Sequence, residues 1–137
     1  MNYTPAESEL LAYTLAHRDP AFIHQYAVDA ITLQRADAQK KPIAIVFALL
    51  GLYLHLEKDV TGRQVQQIHV RLAAKKRPWP SFPLPADRGA LTAADVLRHP
   101  PGPERDQAIE AWCASVWRAY KDCRTPLIDL LAQHGIV

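Results

Sequence analysis

Five side chains stand out as able to do chemistry: His24, Asp29, Gln34, His55 and His69. Three imidazoles on successive helices of a bundle can hold a metal ion and leave a position open for water. The spacing does not support that use. No HxxxH, HExxH or Glu-x-x-His pattern occurs, and such pairs are the usual sign of a metal in a bundle. We expect no metal and no cofactor. Gln34 lies near the middle of an apolar helical arc, with Asp29 at one edge and His24 at the other. A buried amide without partners costs about 1–3 kcal/mol. A structural hydrogen bond from Gln34 to a loop backbone, such as the turn 36–41, is therefore favoured over a ligand contact. His17, His99 and His134 fall at or near helix C-termini, where the dipole or solvent accounts for them.

The other chemistry-bearing groups are weaker. Cys113 is placed inside by periodicity, which argues against a reactive thiolate. Cys123, between Asp122 and Arg124 at a helix end, is expected to be exposed. Two cysteines are too few for a disulfide scaffold and suggest free thiols in a reducing compartment. The five glycines are isolated, so no phosphate loop is present. Residues 40–77 carry eight Lys/Arg and two acids, while the rest carries eight basic and twelve acidic residues. A basic middle raises nucleic-acid binding through 63–77, but most of these bases flank helix ends, so it is the weakest alternative.

These residues must be positioned by helices. The hydrophobic fraction is 49% over 137 residues, enough to fill one core. Eleven prolines punctuate the chain. Pro5, Pro20, Pro42, Pro103 and Pro126 each precede helical periodicity, the N1 position where a missing N–H costs nothing. A first helix is predicted over 6–17, with Leu10, Leu11, Tyr13 and Leu15 apolar. Asp19 caps a second over 20–35, whose apolar arc is Phe22, Ile23, Tyr26, Ala27, Ala30, Ile31 and Leu33. A third, from Pro42 to about Lys58, is apolar on nearly every face and should be central. Gly51 within it costs about 1 kcal/mol of propensity, tolerable where a neighbouring helix comes close. Thr61 caps a fourth helix over 62–76, facing in with Val65, Ile68 and Leu72. Thr92, with Asp95 in the box position, caps a short fifth. Ile109, Trp112, Cys113, Val116, Trp117 and Tyr120 mark the buried face of a helix from Pro103. Thr125 and Pro126 open a last helix, stopped by Gly135.

Between the fourth and fifth helices, RPWPSFPLPADRG has no regular periodicity. Bases beside aromatics are used for stacking on single strands, but the proline density favours an arm over 78–90 packed on the bundle through Trp79, Phe82 and Leu84. A buried Trp79 indicates core and an exposed one a binding platform. The expected fold is all-α: a single-domain helical bundle (1–137) of four long helices plus short accessory helices and this proline-rich arm. The N-terminal sequence has no basic and apolar leader, and the longest uncharged apolar run, 43–54, is too short for a membrane span. We expect a cytoplasmic protein that does not enter a membrane.

Four stretches occur in order: HQYAVDAITLQ, KPIAIVFALLGLYLHLEK, WPSFPLPADRGALTAADVL and AWCASVWRAY. Together, over about residues 8–122, they resemble a bacterial family of uncharacterised proteins, domain-of-unknown-function family 5946. The resemblance implies that Asp29, Gln34, Asp87, Trp112 and Trp117 stand at recurrent positions. Val28, Asp29, Ala30 and Gln34 match its pattern, but Arg35 stands where a His is frequent, and Asp122 and Cys123 stand where another is. The Cys-rich, zinc-like start of some members is absent. These departures count against a His-ligated metal, and the family supplies no activity.

The leading expectation is a non-enzymatic interaction or small-ligand-binding domain acting as a homodimer, because the short terminal helices should leave apolar surface for a partner. The alternative is an enzyme with a polar cleft around Asp29, Gln34 and the bundle histidines.

Overall fold

A computed structural model describes residues 3–17, 24–74 and 78–136. Seven α-helices are present among them: α1 (Pro5–Leu15), α2 (His24–Gln34), α3 (Pro42–Lys58), α4 (Gly62–Ala73), α5 (Ala93–Leu97), α6 (Pro103–Ala119) and α7 (Arg124–Gln133). No strand occurs among the described residues, and the fold is all-α. The described residues do not display four long helices. Only α3 and α6 reach 17 residues; α1, α2, α4 and α7 run 10–12 in the described chain. The expected cap Asp19 and the arc residues Phe22 and Ile23 lie outside the described residues, as do 75–77 of the basic segment.

Local chemistry explains most helix starts. Pro5, Pro42 and Pro103 each open a helix where no backbone donor is needed. Thr4, Thr61 and Thr92 each form a capping box, with Glu7, Gln64 and Asp95 reaching back to the cap. Thr125 does not cap α7. The 3-10 turn Lys121–Cys123 runs straight into that helix, so Thr125 sits inside its first turn. Gly135, at φ 69°, ends the run, and Ile136 N–H closes back on the Leu131 carbonyl at 2.9 Å.

The apolar run of α3 becomes the centre. Ile45, Val46 and every residue from Ala48 to Leu54 are buried, and α2, α4, α6 and α7 all pack against this helix. The predicted face of α6 is buried from Ile109 to Trp117 and continues into Tyr120. Val65 and Leu72 of α4 are buried, with Ile68 half-buried beside them. Leu15, one of the apolar residues of α1, is exposed to solvent at the end of that helix.

The proline-rich segment crosses the bundle without helix from Pro78 to Thr92. Trp79, Phe82 and Leu84 are half-buried against the core. Trp79 meets Phe47 edge-on at 5.3 Å between ring centroids. Cys123, expected outside, is buried, because the arm covers it: its thiol donates to the Pro83 carbonyl at 3.5 Å. Cys113 is also buried and free.

Candidate functional site

The helix α2 carries three of the five candidates, and the packing of α3 and α6 decides what each meets. Asp29 is 3% exposed. It faces Gly51 of α3, where the absent side chain makes the room: a Cβ on Gly51 would lie 2.1 Å from Asp29 Oδ2. The close approach anticipated at Gly51 is therefore made by a carboxyl group. One oxygen, Oδ1, accepts from Gln25 Nε2 at 2.8 Å, an i, i+4 pair on the same helix. The other, Oδ2, has no hydrogen-bond partner among the described residues. Burial pushes the carboxyl well above the ordinary carboxylate range, with the Gln25 bond pulling weakly the other way.

One turn earlier, Tyr26 stacks on His55 of α3, with ring centroids 3.4 Å apart. His55 Nε2 pairs with Glu110 Oε1 of α6 at 2.6 Å. The Cys113 thiol donates to the Tyr26 carbonyl at 3.7 Å. Burial raises both the Tyr26 phenol and the Cys113 thiol, so neither is an ionised nucleophile at neutral pH. His24 Nδ1 lies 2.9 Å from Thr14 Oγ1 of α1. His69 sits apart on α4, stacked on Phe47 at 4.7 Å. Its Nε2 is buried without a partner among the described residues, and burial lowers the ring's pKa below 6.5, against the pull of the Phe47 backbone.

Gln34 is fully engaged. Its Nε2 donates to the carbonyls of Arg88 at 3.2 Å and Leu91 at 2.7 Å, and its Oε1 accepts from Trp112 Nε1 at 3.0 Å. The bonded backbone is the stretch after the proline arm, not the turn 36–41. Arg88 returns the contact. Its Nη1 donates to the carbonyls of Ala36 at 2.7 Å and Leu33 at 3.2 Å, at the C-terminal end of α2. A guanidinium there satisfies free carbonyls and suits the negative end of the helix dipole. The Tyr120 hydroxyl also donates to the Leu33 carbonyl. Arg88 and Tyr120 were not candidates from sequence, because each acts on residues more than fifty or eighty positions away.

Gln34 also lines an open cleft of about 570 Å³, with Glu7, Arg35, Arg88 and Thr92. Arg35 Nη1 and Glu7 Oε1 pair there at 2.8 Å. Asp29, His24, His55 and His69 do not line it. Among the described residues, no three His, Cys, Asp or Glu side chains are grouped so as to hold a metal. His17, placed at a helix end by sequence, pairs with Asp106 of α6 at 2.8 Å, and Tyr13 donates to the same carboxylate at 2.6 Å.

The model of one protein family matches residues 6–121, most of the chain. The chain belongs to DUF5946, a family of unknown function. No curated protein and no solved structure matches it. All five positions singled out by the DUF5946 resemblance make hydrogen bonds within the protein. Gln34 and Trp112 bond each other, Trp117 Nε1 donates to Glu57 Oε2 at 2.7 Å, and Asp87 Oδ1 accepts from Gly89 N–H at 2.9 Å. Asp29 differs in that its second oxygen is buried with no partner among the described residues. No helix among the described residues is long and apolar enough to cross a membrane.

Proposed function

We propose that the chain is a non-enzymatic binding domain that takes a small polar molecule in the cleft between α1, the end of α2 and residues 88–94. The observation that supports this is the position of Gln34. It is the sequence candidate that reaches an open cleft, and its own bonds are spent on holding the cleft floor rigid. The walls then supply one carboxylate, Glu7, and two guanidiniums: Arg88, bonded to the end of α2, and Arg35, already paired with Glu7. That arrangement suits a ligand carrying both a carboxylate and an amine, each replacing one half of the pair. Thermal shift with a panel of small zwitterions tests it. A ligand at a hundred times its Kd stabilises by about 2.7 kcal/mol, a clear rise in Tm. The rise should vanish in Arg35→Met and Glu7→Gln. A panel that moves nothing, or a shift unchanged in both variants, ends the proposal.

The enzyme reading retains one supporting observation, the unmatched and raised carboxyl of Asp29. Against it, a substrate would have to part α2 from α3 to reach that oxygen. The homodimer and the cytoplasmic setting are also proposed. Leu15 and Val70 are the large apolar side chains most exposed among the described residues. Light scattering that finds a monomer at high concentration removes the dimer. Nucleic-acid binding through 63–77 has charge alone behind it.

A further inference from the structure

A separate pocket of about 390 Å³ opens between the last turns of α3 and α7. Its wall is mostly apolar. Ile128, Leu131 and Ala132 lie at i, i+3 and i+4 on one face of α7, and Ile136 folds back onto them after the Gly135 turn. Two polar groups face this wall: Tyr53 and Lys58 of α3. Tyr53 is 3% exposed, its ring tilted against Trp117 at 5.9 Å. Its hydroxyl makes no hydrogen bond with any described residue and is not among the buried unpartnered atoms, so it is left to what enters the pocket. Lys58 likewise has no ion pair among the described residues.

The local charge favours an anion. Glu57, next to Lys58, is committed elsewhere: Arg124 grips it with Nε at 2.9 Å and Nη2 at 2.6 Å, and Trp117 donates to it as well. These bonds, Arg124's first, hold the Glu57 carboxyl below its usual range. Glu57 and Arg124 thus pair with each other, and Lys58 is the one charged side chain in the pocket lining. Both helix ends present carbonyls, which would repel an anion if bare. They are partly satisfied. Val60 N–H closes on the Leu54 carbonyl at 3.0 Å, and Gly135 and Ile136 close on Ala132 and Leu131 at 3.1 and 2.9 Å. A mostly apolar pocket with two donor side chains in its lining is a typical small-molecule site.

We propose that this pocket binds a small aliphatic carboxylic acid. Its chain lies on the α7 face, and its carboxylate accepts from the Tyr53 hydroxyl and pairs with the Lys58 ammonium. The proposal does not depend on the cleft at Gln34. Calorimetric titration of the full chain with sodium octanoate tests it, with octylamine as the control of equal length. Octanoate should saturate one site per chain, and octylamine should not bind. Tyr53→Phe and Lys58→Met keep the ring and the aliphatic stem, so both should fold, and each should weaken octanoate about tenfold. Arg35→Met should leave octanoate binding unchanged. The proposal is overturned by an absence of saturable octanoate binding. Equal binding of octylamine, or an unchanged affinity in either Tyr53→Phe or Lys58→Met, overturns it too.

Discussion

Replacing Gly51 with alanine puts a methyl group 2.1 Å from Asp29 Oδ2 and 3.1 Å from its Cγ. Ordinary contact between such atoms begins more than an ångström further out. The carboxyl has little freedom to move away: it is short, buried, and tied to Gln25 on its own helix. The strain therefore falls on the α2–α3 contact, and overpacking of this kind costs about 1–3 kcal/mol. The severity of the overlap places Gly51→Ala near the top of that range. Alanine's better helix propensity returns about 1 kcal/mol, for a net loss of about 2 kcal/mol. Asp29→Ala removes both atoms that the methyl meets. In that background Gly51→Ala should become stabilising, by about 0.5–1 kcal/mol, from propensity alone. The four proteins of this cycle, unfolded in urea at pH 7, should give a coupling of about 2–3 kcal/mol. A cycle additive within about 0.5 kcal/mol, or a stabilising Gly51→Ala in the unaltered chain, would refute the packing described here.

The same carboxyl predicts a pH dependence. Because its folded pKa is raised above 3.8, its favourable contribution is complete below 3.8 and is lost as pH rises through the folded value. Asp29→Asn should therefore gain stability relative to the unaltered chain between pH 4 and 8, and urea midpoints that track each other across that span speak against it. His69 has the opposite slope: its ring is favoured neutral, so its contribution is present above pH 6.5 and is lost as pH falls through the lowered folded value. An NMR titration should place its midpoint below 6.5, and one above contradicts the burial. Gln34→Leu strands the Trp112 N–H and two loop carbonyls and should cost about 2–3 kcal/mol, whereas Arg35→Met loses a surface pair worth under about 1 kcal/mol. Urea unfolding that ranks them the other way removes the floor role given to Gln34.

What the sequence made legible was local. Proline at N1 and threonine with an acid or amide three residues on act within one turn, so the starts of α3, α4, α5 and α6 follow from the residues present. The centrality of α3 followed from its lack of a polar face. Long-range pairings were not legible. Asp29 sat at the edge of an apolar arc, and only the missing side chain of Gly51, 22 positions on, lets it sink into the core. Cys123 read as exposed because nothing nearby in sequence announces the arm that covers it. The Gln34 partner was sought in the adjacent turn and found at 88 and 91. The Tyr53–Lys58 pocket escaped because an unbroken apolar run conceals which face a neighbour leaves uncovered. The signal was there in a single phenol inside that run and a lysine at its end.

The reciprocal bonds between α2 and the loop after the arm bear on how the molecule opens. Arg88 closes carbonyls at the end of α2, and Gln34 in α2 closes carbonyls at 88 and 91. Neither segment can leave without stranding polar groups of the other. A stretch without helix, which by composition would fray first, is thereby bound into the same cooperative unit as the last turn of α2. Amide exchange in 88–91 should report the unfolding of that helix end, and the arm should release Cys123 to solvent only when α2 gives way.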